Sequence, residues 1–462
     1  MSNKFLYKLL AVMILASMLL SACGSATEAP AETEAPVMTE APVATEAPAT
    51  EAPAMEKPSG KIVVWTWVSY AFTETGLLDE FKSEYPDIEV EFVEYNSGDV
   101  YQKLGLAISA GSGAPDVAQV ESSNIGSFME MNGLADLTPR VKDSLLGEMS
   151  QFKWADVERD GKYYGMPWDS GPVVAYYRRD VFEKAGLSTD PAEVSKMFAT
   201  WDTYLETCKI IKDKTGLGCF SSSKANNNAR LYEMMLWQQG IGYYDADGKV
   251  TIASPENIAT LEKLGEFWTA DVTSETAPWT DPWYAEFASL DEPVATIVEA
   301  AWMGQFLKSW IAADTAGLWG VAYMPVMKEG QVRSANDGGS NLVIPEQSKN
   351  KEAAWAFVEF MLGRYDSQVK QFEKFDLFPT FEATFADPVF QSPDPFFADQ
   401  LTREIYADVA AQIPVAYIYG PYYSAMNGHV ALAIQEYATG LKPAEQALQD
   451  AAEAVRNETG MP

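Results

Sequence analysis

At 462 residues the chain is two to three times the length of a typical single domain, so it can bury a large core and divide it between two lobes. Against 33 Lys and Arg stand 66 Asp and Glu, a formal charge of −33, and so acidic a surface repels phosphate backbones and anionic lipid heads; no nucleic-acid partner is expected. One histidine, His429, excludes multi-histidine metal sites, while 13 Trp, 22 Tyr and 22 Phe suit either a large core or stacking surfaces for flat ligand faces.

The first segment places Lys4 and Lys8 ahead of an apolar run from Leu9 to Leu20, too short to span a bilayer as a helix and right for a signal h-region. It ends in Leu20-Ser21-Ala22-Cys23-Gly24, which resembles the bacterial lipobox. That resemblance implies a lipoprotein signal peptide over 1–23 and lipid attachment at Cys23, which puts the exported protein on the outer face of the cytoplasmic membrane; an ordinary cleavable signal is the alternative. From 24 to 60 the chain repeats Thr-Glu-Ala-Pro, as at Thr27–Pro30 and Thr45–Pro48, with almost nothing apolar to bury. Such a stretch cannot repay its ordering entropy, and its prolines and spaced glutamates predict a disordered, semi-rigid tether. Discounting the two lysines of the signal, and the seven glutamates and one lysine of the tether, leaves −29 on the remainder. The acidity therefore belongs to the globular part.

Lys61–Val68 is a short β-branched and aromatic run, predicting a buried strand. Gly76–Tyr85 has helical spacing and stops at Pro86, Ile88–Tyr95 alternates as a strand, Val100–Ala110 reads as a helix ending at Gly111, and Val117–Val120 as a third strand. This alternation predicts a parallel α/β sheet whose ligand loops, after Trp67 and after Val120, share one rim. Further on, Cys208 and Cys219 lie eleven apart, a spacing that permits a disulfide without requiring one. A final helix is expected from His429 to Tyr437, with His429 at its start.

Trp65-Thr66-Trp67, Phe81–Pro86, Tyr101–Leu104 and Gly113-Ala114-Pro115-Asp116-Val117 follow one another as in the family 1 extracellular solute-binding proteins of ABC importers, the maltose and multiple-sugar group. Tyr164-Gly165-Met166-Pro167 with Tyr176–Leu187, Trp201–Tyr204, Gly338-Gly339-Ser340 before Leu342–Pro345, and Lys351–Leu362 extend the resemblance in order along the chain. It implies a periplasmic-binding-protein-like fold: two α/β lobes joined by hinge crossovers, with the ligand cleft between them. The first lobe would take 61–169 plus 342–388 and the second 172–337 plus 389–462. Gly171-Pro172 and Gly338-Gly339 suit such crossings on their own account, since glycine and proline serve unusual backbone angles. The implied function is that of a monomeric, cofactor-free binding protein that captures a sugar or oligosaccharide by lobe closure and presents it to ABC permease subunits.

A sugar offers hydroxyls that need paired donors and acceptors, and a C–H face that packs on an aromatic ring. That mix occurs at Trp67, Ser69 and Tyr70, and at Glu121, Ser122 and Asn124 in a loop after the third strand. It recurs at Trp168-Asp169-Ser170, at Trp302 and Phe306, at Gly338-Gly339-Ser340 and at Tyr423 and Asn427, positions where the resemblance implies ligand contacts. On a helix-like apolar run holding Arg230, Tyr232 and Trp237, Tyr232 is the candidate; Trp279–Trp283 is either an exposed loop or part of the pocket roof. Asp116 reads as structural. Two rival readings remain at this point: an acidic, aromatic pocket would also suit a polyamine through carboxylate pairing and cation–π contact, and a secreted carbohydrate-active enzyme needs only two carboxylates. No nucleophile elbow, phosphate loop or metal spacing accompanies them.

Overall fold

The computed structural model describes residues 57–224, 229–414 and 419–462; the expected signal peptide, Cys23 and the tether up to residue 56 lie outside them. Among the described residues no helix is long and apolar enough to cross a membrane.

Strand β1 (Gly60–Thr66) turns Ile62 and Val64 inward, fully buried. Helix α1 (Leu77–Glu84) buries Leu77 and Phe81, four apart on one face, and stops ahead of Pro86, beside which the helical conformation is disfavoured. Strand β2 (Ile88–Glu94) follows. Helix α2 (Ser97–Ala110) starts where the Asn96 side chain accepts from the Asp99 N–H at 2.9 Å and ends at Gly111 in the left-handed region, φ 70°. Strand β3 (Val117–Glu121) then pairs with β1 in parallel, as β2 does on the other edge. Asp116 is structural, as its place suggested: its carboxylate accepts from Val63 N at 3.0 Å and Ser348 Oγ at 2.6 Å, tying β1 to the returning chain.

Where a loop was expected after β3, the chain passes directly into helix α3 (Ser122–Glu130). Helix α4 (Gln151–Val157) leads to the two-residue strand β4 (Met166–Pro167). The second lobe opens with β5 (Val173–Arg178), and helix α5 (Trp201–Thr215) carries Cys208, bonded to Cys219; both cysteines are fully buried. After helix α6 (Arg230–Gln238) come strand β6 (Thr296–Ala300), helix α7 (Trp302–Phe306) and strand β7 (Trp319–Tyr323). Strand β8 (Ser340–Val343) returns to the first lobe, followed by helices α8 (Lys351–Leu362) and α9 (Tyr365–Phe375). The chain closes on α10 (Tyr423–Ala438) and α11 (Ala444–Thr459). The helix expected from His429 thus begins six residues earlier and is not the last; His429 sits within it, its Nε2 2.8 Å from Glu458 Oε2 of α11.

The first sheet runs β2-β1-β3-β8-β4 and is mixed, where an all-parallel one was expected, because β8 re-enters from the second lobe and pairs antiparallel with β3 and β4. The second sheet, β6-β5-β7, is antiparallel throughout. Between the sheets the chain crosses side by side at 168–172 and 335–340, with 377–380 alongside. Ser170 N donates to Phe378 O at 2.9 Å, Asp337 N to Gly171 O at 2.8 Å and Trp168 N to Ser340 O at 3.0 Å. Two glycines make this approach possible. A Cβ on Gly171 would collide with the Asp337 carbonyl, and Gly339, at φ 91°, lies against the Asp169 carbonyl and the Lys153 amine. Each sheet has its own apolar core, and a third cluster joins Val174 and Tyr176 of β5 to Phe372, Phe378 and Phe390, so part of the chain assigned to the first lobe packs with the second.

Candidate functional site

The β3–α3 junction, the crossing strands, α6 and α7 surround a cavity of about 750 Å³. Its first-lobe wall carries Trp67, Tyr70, Glu121 and Ser123. Gln119 lies behind them: its Oε1 accepts from Thr66 Oγ1 at 2.6 Å and its Nε2 donates to Ser340 Oγ at 3.0 Å, so one amide fixes both the wall and the crossover. Asp169, Gly338, Gly339 and Ser340 form the floor, where Asp169 Oδ1 accepts from Ser340 N at 2.8 Å. Burial pushes the Asp169 carboxyl above the usual range, against the pull of Lys153 and that N–H.

The second-lobe wall is organised around Arg230 at the start of α6. Its Nη2 donates to Asp337 Oδ2 and stands 3.7 Å from Glu299 Oε1, while the guanidinium lies 5.1 Å from the Trp302 ring centre and 5.8 Å from that of Trp279. Burial works against the Arg230 charge, but Asp337, Glu299 and Glu121 outweigh it and hold its pKa above the usual value. Burial, reinforced by Asp337 and opposed by Arg230, pushes Glu299 up to about 8. One turn on from Arg230, Glu233 accepts from Tyr423 Oη at 2.9 Å, Tyr243 Oη at 2.7 Å and Asn427 Nδ2 at 2.8 Å, and burial raises it despite those bonds. Trp302 Nε1 donates to Asp337 O at 3.1 Å, which anchors its ring at the cavity edge. Trp302, Phe306 and Trp310 follow at four-residue intervals, with centroids 5.5 and 5.8 Å apart.

Of the residues expected at the site, Trp67, Tyr70, Glu121, Trp168, Asp169, Trp302, Phe306, Gly338, Gly339, Ser340 and Tyr423 line this cavity. Trp168 does so only marginally: it is 2% exposed, stacks on Phe72 at 4.8 Å and donates from Nε1 to Gln371 Oε1 at 2.7 Å. Six others do not line it. Ser69 donates to Glu94 Oε1 at 2.6 Å at the rim, and Ser122, drawn into α3, accepts from the buried Lys153 at 2.5 Å. The Asn124 amide turns to Ser123 Oγ at 3.0 Å; Ser170 is buried in the crossover. Tyr232 points into the second-lobe core and donates to Asn257 O at 2.9 Å, because the register of α6 gives the cleft to Arg230 and Glu233 instead. Asn427 stands behind Glu233 and orients it.

Sequence reasoning left out Glu233, Trp310 and Tyr419, passed over Arg230 in favour of Tyr232, and left Trp279 between an exposed loop and the pocket roof. Arg230 and Glu233 did carry a signal: two charges three apart in an otherwise apolar helix must share a face that the core does not use. Of the two alternatives for Trp279 the structure takes the pocket, on a left-handed backbone, φ 64°, rare for a bulky side chain and not announced by the sequence. Among the described residues no group of three or more His, Cys, Asp or Glu is placed to hold a metal ion.

An aromatic row facing hydrogen-bonded carboxylates and the Gly338–Ser340 backbone, set between two lobes, is built to hold a small polar solute. Residues 66–364 match the family model of the bacterial extracellular solute-binding proteins. The chain belongs to that family. Among the relatives of this solute-binding protein is the arabinooligosaccharide-binding protein of Bacillus subtilis (strain 168), 29% identical over 329 residues, 68% of this chain and 73% of that one. The lactose-binding protein of Rhizobium radiobacter is 26% identical over 369 residues, 77% of this chain and 83% of that one. A solved extracellular solute-binding protein of family 1 superposes with a TM-score of 0.75 at 22% identity, covering 86% of this chain and 99% of that one. The ABC transporter associated binding protein from B. animalis subsp. lactis Bl-04, in complex with β-1,6-galactobiose, gives 0.71 at 24% identity, covering 87% and 97%.

Proposed function

We propose that this solute-binding protein captures an oligosaccharide in the cleft between its lobes and delivers it to the permease of an ABC importer, held at the outer face of the membrane by a lipid on Cys23. One observation carries the reading: Trp302, Phe306 and Trp310 line one wall of a cavity whose other walls supply Gln119, Glu121, Ser123, Asp169 and the Gly338–Ser340 backbone as hydrogen-bonding groups. Rings take the C–H faces of a sugar and the polar groups take its hydroxyls.

A polyamine would need unpaired carboxylates. Asp337 is committed to Arg230, while Glu233 is satisfied by two tyrosine hydroxyls and an amide. The same commitments take Asp337 and Glu233 out of hydrolysis, which asks one carboxylate to give up a proton and another to attack or to activate water. In a thermal-shift panel of arabino-, malto- and galacto-oligosaccharides against spermidine, at least one sugar is expected to raise the melting temperature by mass action, and the bound sugar is expected to be recovered intact. A shift with spermidine alone would sink the sugar reading; newly released reducing ends would replace it with an enzyme.

A further inference from the structure

The aromatic row on the second-lobe wall has a geometry that an α-helix alone does not provide. Four residues of α-helix turn about 40° more than a full revolution, so side chains at 302, 306 and 310 on a regular helix would drift progressively off one line. Here α7 (Trp302–Phe306) runs into a π-helical turn over Leu307–Ile311, closed by the Ala312 N–H to Leu307 O bond at 3.0 Å. The wider π turn rotates the chain less per residue, which brings Trp310 back toward the line of Trp302 and Phe306.

Exposure rises at the outer end of this line. Trp302, anchored on Asp337 O, and Phe306 are half-buried, whereas Trp310 is 52% exposed, a large apolar ring at the cavity mouth. The ring centroids advance by 5.5 and 5.8 Å and successive ring planes tilt by 50° and 52°, so the row turns as it runs outward. Gln305 and Ser309, also four apart, line the cavity beside the rings and offer polar groups at the same interval. From the first lobe, Tyr70 and Phe375, with centroids 4.7 Å apart, contribute a second aromatic pair to the same cavity.

We propose that the π turn exists to align Trp302, Phe306 and Trp310 as a stacking platform for successive units of a linear oligosaccharide, with Trp310 as the outermost ring and the residue that sets the preference for longer chains. This rests on the sugar reading and adds to it a chain-length rule and the residue responsible. The inner rings hold the first units of any chain that binds, whereas Trp310, backed by Tyr284 at 4.9 Å between centroids, meets sugar only when the chain reaches the mouth.

Titration calorimetry on the full-length protein and on Trp310→Ala, with arabino-, malto- and β-galacto-oligosaccharides of two to five units, tests this. For the wild type, affinity within the bound series is expected to rise with length. In Trp310→Ala the ratio of longest-chain to disaccharide affinity is expected to shrink about three- to tenfold, the range for one stacked aromatic contact. Trp310→Phe should restore most of the ratio, and an unchanged melting temperature in both variants would confirm that a half-exposed ring carries little of the fold. Retention of the wild-type ratio in Trp310→Ala, or a loss equal at every length, would overturn the platform while leaving sugar binding intact. Failure of the wild type to bind any member of the three series would remove the sugar reading and the platform with it.

Discussion

Arg230 shows how much a single charge organises here. Its guanidinium holds Asp337 on the crossover, draws Glu299 near at 3.7 Å and stands beside the rings of Trp279 and Trp302, so the inner wall is set before any solute arrives. A pre-set wall spends less of its binding energy on ordering. Removing the anchored, half-buried ring in Trp302→Ala is expected to weaken oligosaccharide binding about tenfold or more, measured by calorimetry, as for aromatic anchors at other binding sites. Glu299 supplies a pH dependence. In the unfolded chain it titrates near its usual 4.5 and in the fold near 8, so between these values the folded state keeps a proton that the unfolded state has lost. That contribution to stability is whole below pH 4.5 and is lost as the pH rises through 8. Melting temperatures across the same range should therefore decline more gently in Glu299→Gln than in the wild type. Parallel declines would show that the carboxyl is ionised in the fold at every pH tested.

At the scale of elements, the first three strands and two helices were legible to within three residues, because Pro86 and Gly111 end the helices by local chemistry, whereas the Asn96 cap that starts the second one ahead of the expected Val100 was missed. What failed was register and continuity. Ser122 and Asn124 looked like loop residues but fall in α3, and Tyr232 lost the cleft to Arg230 and Glu233 because the apolar run in α6 hid which face was which. The crossovers, by contrast, are announced by glycines. Gly339→Ala puts a side chain at φ 91° against the Asp169 carbonyl and should lower stability by about 1–3 kcal/mol, read by denaturant unfolding. No loss would mean the crossing has room to shift. The buried bond between Cys208 and Cys219 ties the chain leaving α5 back to that helix, and the double change to Ser is expected to cost about 2–4 kcal/mol, seen as a lowered melting temperature that reductant no longer affects.

For the whole molecule, two sheets with separate cores joined by hydrogen-bonded crossings permit one motion above others, hinge closure about 168–172, 335–340 and 377–380. Small-angle scattering is expected to register a decrease in radius of gyration when a cognate oligosaccharide is added; an unchanged profile under saturating ligand would argue for a cleft that binds without closing. The sequence alone determined the compositional and local facts: an acidic chain without the means for a multi-histidine metal site, a Thr-Glu-Ala-Pro stretch, the first three strands and two helices, and the glycines at the crossings. These follow from charge, periodicity and turn chemistry, which act over a few residues. Only the tertiary structure decided which side chains share the cleft. Arg230, Trp279, Trp302 and Asp337 lie far apart in the chain, and they meet because β6, α6 and the second crossover are packed against one another. The line of rings out to Trp310 likewise depends on a π turn, a bonding pattern that residue spacing alone does not announce.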